Sequence, residues 1–419
     1  MTTEQQPIVF NPLDPAFREN PYPVYRRLVR EDPVHITPFG VKAFSRLTDC
    51  TAILRDHKRF SSDDRNAGLV GAESEANRGA DSIINEEDRP FLFMDPPDHT
   101  RLRRLVNLAF TPRALESMRP RIQQLVDELL DALEGKDEMD AIADLAYPLP
   151  VSVICEMLGV PREDEPQFRV WSRILAGSLD PDITVAPEVL KQREQAVFDS
   201  REYFRELIAK RGDERPPDIL SALLAAEEEG DKLSERELLS TCTMILIAGH
   251  ETTVNLIGNG ILQLLRHPDQ LAKLQERPEE LAPHVVEEVL RFDPPVQFDG
   301  RLCVKEAEIG GVKVNPGEFV MTLIGAANRD PEHFEDPDTF DITRGERDSA
   351  ADRHLAFGFG IHFCLGSPLA RLEGEAALRS FVQRFPNARL LDERPQYRAQ
   401  ITLRGLENLR VRLRPSGSQ

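Results

Sequence analysis

One stretch of this chain gathers residue types able to hold a metal through sulfur: Phe357-Gly-Phe-Gly-Ile-His-Phe-Cys-Leu-Gly366. Three glycines in ten residues, set among aromatics beside one cysteine, describe a tight loop that presents a thiol. Gly358 and Gly360 can adopt backbone angles closed to other residues. Successive N–H groups can then point at Cys364 Sγ and favour the thiolate, the form that binds metal. Gly366 has no Cβ, which lets a flat ligand lie close over the turn. Beyond it, Leu365, Leu369, Leu372, Ala376, Phe381 and Phe385 keep helical spacing. The sulfur is therefore expected at a helix N-terminus, where the backbone dipole favours negative charge. For a lone cysteine the ordinary alternative is a Gly-rich turn around an inert thiol, and the whole pattern outweighs it. His362 and Cys364 lack a second pair at ligand spacing, so a zinc site is not expected.

Three other clusters carry chemistry. Met244-Ile-Leu-Ile-Ala248 is apolar, and Gly249-His-Glu-Thr-Thr253 interrupts it in what reads as one helix over Ser234–Leu265. A mid-helix glycine costs about 1 kcal/mol against alanine. The Thr252 hydroxyl can bond the carbonyl four residues back and bend the helix, and together these open a groove. Glu251 and Thr252 in an apolar helix interior are the kind of local conflict expected at a functional site, although helix packing alone is the plainer reading. On the helix expected after Asp95-Pro-Pro-Asp98, with Asp98 as cap, His99 and Arg103 share a face; alone they read as surface charge. Glu288 and Arg291 share a face of another helix, a weak signal by itself.

These groups need a scaffold. The 419 residues allow a large core, and 40% hydrophobic with 30% charged is ordinary for a globular protein. A formal net charge of -20 argues against nucleic acid and anionic membranes as partners. Five scattered cysteines, Cys50, Cys155, Cys242, Cys303 and Cys364, read as reduced thiols in a cytosolic protein. The start of the chain has no basic, apolar leader, and no stretch approaches the roughly 20 apolar residues of a membrane span, so no anchor is expected. The chain reads as cytoplasmic.

Short elements open the chain: a helix over Pro23–Val29, strands at Val34–Ile36 and Lys42–Ser45, and a helix over Thr48–Leu54 capped by Thr48 or Asp49. Ser61–Arg89 is polar and aperiodic, a loop or a solvated disordered stretch. Ile122, Leu125, Val126, Leu129, Leu130 and Leu133 form a core stripe. Asp144–Leu158 reads as a buried helix, Phe168–Leu179 and Ala186–Lys210 as a helix pair, and Glu227–Lys232 as a loop. No repeat and no long linker divides the chain, which is expected to be one domain over 1–419.

The cysteine loop resembles, position by position, the haem-binding loop of the cytochrome P450 superfamily: Phe357, Gly358, Gly360, His362, Cys364 and Gly366, then Ala370, Arg371 and Glu373. The resemblance runs from about Asn20 to Gly405 and implies a mainly α fold with a smaller β region, the cytochrome P450 fold. It implies haem b, with Cys364 as the axial thiolate that favours O–O cleavage. Ala248-Gly-His-Glu-Thr-Thr253 is similar to the family's oxygen-binding motif. By that likeness Ala248 and Gly249 lie against the cofactor, Thr252 orients O2 and a water, Glu251 relays protons, and His250 faces away from the iron. His99, Arg103, Arg301 and His354 match propionate contacts. Glu288, Arg291 and Arg344 match a structural triad that locks the approach to Cys364.

Monooxygenation of a hydrophobic small molecule is implied, with electrons from a separate ferredoxin and ferredoxin reductase and no fused reductase. Docking is expected on the Cys364 side near Arg101, Arg104 and Arg371, a solvated face being the alternative. Leu69, Val70, Met244, Ile247, Ala248, Val296 and Ile401 are placed near the substrate, with Ser61–Arg89 as a lid. A monomer is expected. Two rivals stand beside this: a same-fold enzyme doing oxidative coupling or peroxide chemistry, and a non-catalytic haem sensor. The presence of Glu251 and Thr252 argues against peroxide chemistry and against a sensor.

Overall fold

A computed structural model describes residues 7–63, 65–66, 89–180, 185–228, 230–347 and 354–414. Leu69, Val70 and most of the expected lid lie outside them. The main helices are α1 (Asp98–Ala109), α2 (Glu165–Leu175), α3 (Pro187–Arg211), α4 (Glu235–Arg266), α5 (Pro278–Phe292) and α6 (Ser367–Arg384). The strands β1 (Val34–Ile36), β2 (Lys42–Phe44), β3 (Phe60–Ser61), β4 (Asp299–Cys303) and β5 (Phe319–Thr322) form one sheet in the order β1-β2-β5-β4-β3. The class is mainly α with a smaller β region.

Helix α4 organises the interior. Ser234 and Glu237 form a reciprocal capping box at its start, satisfying two backbone donors that a helix end leaves open. From Leu238 to Leu264 nearly every side chain is buried, because helices pack on all sides: Pro148–Met157, α3, α5 and α6 among them. The helix runs on through Gly249, where a groove was expected. There the missing side chain serves close packing, since a Cβ would lie 2.7 Å from Ile154 Cδ1.

The sheet packs on a second apolar cluster, including Phe44, Ile53, Leu54, Phe60, Cys303 and Val320. Its register places Arg301 opposite Val320, on the strand that leaves the loop after α5. Among the described residues no helix is long and apolar enough to cross a membrane.

Several boundaries differ from expectation for local reasons. The helix expected over Pro23–Val29 extends over Tyr22–Glu31, and a short helix, Pro15–Glu19, precedes it. Over 142–157 a π-helical turn, Ile142–Ala146, precedes Pro148–Met157; Pro148 and Pro150 have no N–H to continue the ladder. Asp98 is inside α1 rather than capping it, where its charge still suits the N-terminal dipole. Neither Thr48 nor Asp49 caps Leu47–Arg55; the distant Asp330 carboxylate accepts the Leu47 N–H at 2.9 Å. Where a loop was expected over Glu227–Lys232, Glu227–Glu228 pairs antiparallel with Asp231–Lys232.

Candidate functional site: the Cys364 loop and the helix opposite

The cysteine loop closes on itself. The Cys364 N–H donates to the Phe357 carbonyl at 2.9 Å, and the Gly358 N–H to Leu355 at 2.8 Å. Gly358 and Gly360 have φ of 69° and 75°, the left-handed region that favours glycine. A Cβ at Gly360 would also lie 2.6 Å from the Leu54 carbonyl oxygen, so the loop is moulded to Leu47–Arg55. The glycines shape the loop, but the N–H groups acting on the sulfur come from Gly366 and Ser367, at the start of α6. Surrounding protein pushes the Cys364 thiol above its usual range; those N–H groups, Arg103 and Arg371 oppose the shift. Ligation by a metal would complete the ionisation. At Gly366 a Cβ would have only Cys364 Sγ within contact, at 4.0 Å, so the space over the sulfur is open.

On α4, Thr252 Oγ1 donates to the Ala248 carbonyl at 2.9 Å, the expected back-bond. Glu251 is buried and ion-paired to Arg398, with His250 Nε2 at 3.3 Å from Oε2. Nδ1 of His250 donates to the Leu246 carbonyl at 3.2 Å, and the ring packs edge-on against Tyr147. Burial pushes His250 down to about 4, so it is neutral at pH 7. Arg398, far along the chain in a polar loop, carries no periodic or motif signal and was not anticipated.

A second cluster gathers beside the loop. His99 is buried with neither ring nitrogen hydrogen-bonded, and His362 Nε2 is likewise unpartnered. Their rings lie 4.3 Å apart. Burial, then Arg103 and His57, holds His99 down at about 4; burial, then Arg301, His99 and Arg103, holds His362 down at about 2. Arg103 Nη2 donates to the Phe363 carbonyl at 2.8 Å, and Arg301 Nη1 to Asp299 Oδ1 at 2.6 Å. Imidazoles and guanidiniums packed this way call for an anionic guest, and the carboxylates of a haem fit them.

His354 is not in that cluster. Its Nδ1 accepts the Ala356 N–H at 3.2 Å, and its Nε2 contacts Glu287 Oε2 at 3.1 Å, leaving neither nitrogen for a propionate. The fourth member is His362, two residues before Cys364. Arg371 donates to the same Glu287 at 2.6 and 3.1 Å, and its guanidinium lies 4.5 Å from the Phe357 ring centroid. Burial would raise the Glu287 carboxyl, but hydrogen bonds from His354 and Arg371 bring it to about 2. Arg101 is likewise engaged, with Asp231 at 3.2 Å and with Glu237. Two of the three expected docking cations thus serve internal pairs, because a basic residue on a strongly acidic chain finds a carboxylate nearby. Arg104 is exposed.

The Glu288–Arg291–Arg344 cluster is nearly saturated. Arg291 holds Glu288 through two bonds of 2.7 and 2.8 Å and donates to the carbonyls of Asn328, Pro337 and Thr339. Arg344 Nε lies 3.3 Å from Glu288, and its other nitrogens reach Glu335, Asp336 and Thr339 carbonyls. Of the substrate candidates, Met244 and Ile247 are buried on α4. Val296 pairs with Leu403, and Ile401 stands on the adjoining turn against the cluster around Phe298.

Known proteins resemble this chain over most of its length. The Cytochrome P450 family model matches residues 70–401. Cytochrome P450 107B1 of Saccharopolyspora erythraea is 42% identical over 422 residues, covering 98% of this chain and 99% of that protein. Cytochrome P450 monooxygenase PikC of Streptomyces venezuelae is 40% identical over 428 residues, covering 99% and 96%. The crystal structure of P450BioI in complex with hexadec-9Z-enoic acid ligated acyl carrier protein matches at TM-score 0.85 and 39% identity, covering 96% of this chain and 99% of that one. Likeness to these relatives over nearly its whole length, in a chain that has a sulfur-presenting loop, a threonine-bearing helix and an imidazole–guanidinium cluster, places it in the cytochrome P450 family of haem-containing monooxygenases.

Proposed function

We propose that this single-domain chain inserts one oxygen atom of O2 into a hydrophobic small molecule, by hydroxylation or epoxidation, with electrons from a separate ferredoxin and ferredoxin reductase. The observation that carries this reading is the Thr252 hydroxyl held on the Ala248 carbonyl beside the buried Glu251. The prosthetic group is read as haem b, with His99, Arg103, Arg301 and His362 holding its two propionates. Bound there on a thiolate, it supplies O2 activation.

The chain supplies the rest. Cys364 would hold the iron through its sulfur, and the Gly366 and Ser367 N–H groups would temper the charge of that thiolate. Because the Thr252 proton is committed to Ala248, its oxygen is left to accept a hydrogen bond from a water. Glu251 moves protons to that water, and Arg398 stabilises the carboxylate left behind. Met244, Ile247, Ala248, Val296 and Ile401 would present apolar surface to the substrate, a terpenoid, steroid, fatty acid or polyketide. Likeness to P450BioI adds an acyl chain on a carrier protein as one form it could take. The electron donor would dock on the Cys364 side, where Arg104 and the 42% exposed Phe363 lie.

The test is the absorption spectrum of the reduced, carbon monoxide-bound protein, followed by ferric spin-state titrations with candidate ligands. A strongly red-shifted Soret band, absent in Cys364→Ser, supports thiolate ligation, and an unshifted wild-type band sinks it. Thr252→Ala should consume electrons while releasing peroxide; tight coupling in that variant would overturn its role.

A further inference from the structure

The 3-10 turn Ala176–Leu179 that ends α2 is tied to a part of the chain more than two hundred residues away. Asp180 Oδ1 accepts the Thr402 N–H at 2.8 Å and the Ile401 N–H at 3.2 Å; Oδ2 is 3.3 Å from the same Ile401 N–H. In return Thr402 Oγ1 donates to the Leu179 carbonyl at 3.0 Å. The 401–404 turn is itself sewn to the loop after α5. The Gln297 N–H donates to the Thr402 carbonyl at 2.9 Å, the Arg404 N–H to Pro295 at 2.7 Å, and Val296 pairs with Leu403.

The turn also touches α4. Asn259 Nδ2 donates to the Arg404 carbonyl at 3.2 Å, and Gly405 lies so close to Asn255 that a Cβ would be 1.8 Å from Oδ1. Arg193 of α3 adds positive charge beside Asp180, its guanidinium lying where a Gly177 side chain would be. The Asp180 carboxylate thus holds the 401–402 turn, and that turn in its place holds the loop of Val296, so one anchor reaches both substrate candidates, Ile401 directly and Val296 through the turn.

We propose that Asp180 is a positioning residue that sets substrate specificity: its carboxylate fixes the Ile401–Thr402 turn, and with it Val296, against the end of α2. This rests on the monooxygenase reading above, because it assigns the substrate wall of that same site. A carboxylate accepting backbone N–H groups makes charge-assisted bonds, stronger than neutral ones. Two N–H groups and one hydroxyl hold the turn in a single place, so a ligand meets a wall of one shape. Releasing it would let Ile401 move and relax discrimination between ligands of different length.

The experiment uses Asp180→Asn, Asp180→Ala and Thr402→Val in the full chain. Hydrogen exchange of the Ile401 and Thr402 amides is measured without ligand. Ferric spin-state titrations with straight-chain fatty acids of increasing length, and the ratio of positional products, are measured in the haem-loaded protein. Exchange should quicken about tenfold in Asp180→Ala and less in Asp180→Asn, which keeps one acceptor. The chain-length preference should flatten by a similar factor, and the product ratio should shift. Faster exchange with unchanged preference and products would reduce Asp180 to a structural tether and overturn the proposal; so would unchanged exchange. Should Asp180→Ala fail to fold, Asp180→Asn, which loses the charge and one acceptor oxygen, carries the same comparison with smaller changes, while Thr402→Val reports the share of the Leu179 bond. A wild-type protein lacking the red-shifted Soret band would instead sink the parent reading, while the exchange data would still judge the tether.

Discussion

Two charged clusters are assembled from residues that precede Cys364 in sequence, and they are built on opposite terms. Around Glu288, Arg291 and Arg344, the Arg291 nitrogens all find acceptors within the chain, mostly backbone carbonyls of 328–339. Around His99, His362, Arg103 and Arg301, imidazole nitrogens are buried with nothing to bond. A buried polar group without a partner is costly, so a chain retains one where a guest completes it. The first cluster is finished by folding; the second is left for a guest, which on the proposed function is the haem. Saturation, rather than burial or charge, separates scaffold from site.

The comparison breaks first under Arg291→Ala. Removing it strands buried Glu288 and several carbonyls, and urea unfolding should show a loss of about 3–5 kcal/mol. His99→Leu should do the reverse: haem-free stability unchanged or slightly higher, since an unpartnered group is gone, but haem retention at least about tenfold weaker by absorbance titration. Equal stability losses in the two variants would erase the distinction.

Glu373 sharpens it, being wholly buried, unpartnered and pushed well above the usual carboxyl range by burial. A raised folded pKa means its stabilising contribution is whole below the ordinary carboxyl range and is lost as pH rises toward the folded value. The unfolding free energy from urea titrations should therefore fall from pH 5 upward by as much as about 1.4 kcal/mol per pH unit, a slope that Glu373→Gln removes. An identical pH profile in the variant would mean that Glu373 has a partner. Smallest is Arg101→Gln, a partly exposed pair with Asp231 and Glu237, expected to change stability by about 0–1 kcal/mol, less at high salt. A larger loss would place Arg101 with the scaffold.

Much of the site was legible because its parts are short and local. Cys364 with its glycines, Thr252 four residues after Ala248, and Glu288 three before Arg291 each depend on spacing within a turn or two. The capping box at Ser234 set the start of α4 in the same way. The errors came where a residue's partner is remote. His354 and His362 are both histidines ahead of the cysteine, and spacing alone did not say which one Glu287 would claim. Arg371 and Arg101 looked available until folding brought Glu287 and Glu237 to them.

By itself the sequence determined the family and the mainly helical class, and it singled out Cys364 and Thr252 as candidates, because each of these rests on contiguous residues obeying local geometry. Only the tertiary structure decided which histidines stay unsatisfied, that Arg398 meets Glu251, and that Asp180 meets Thr402. Those pairings depend on how distant segments pack, and nothing in the spacing of either partner encodes the other.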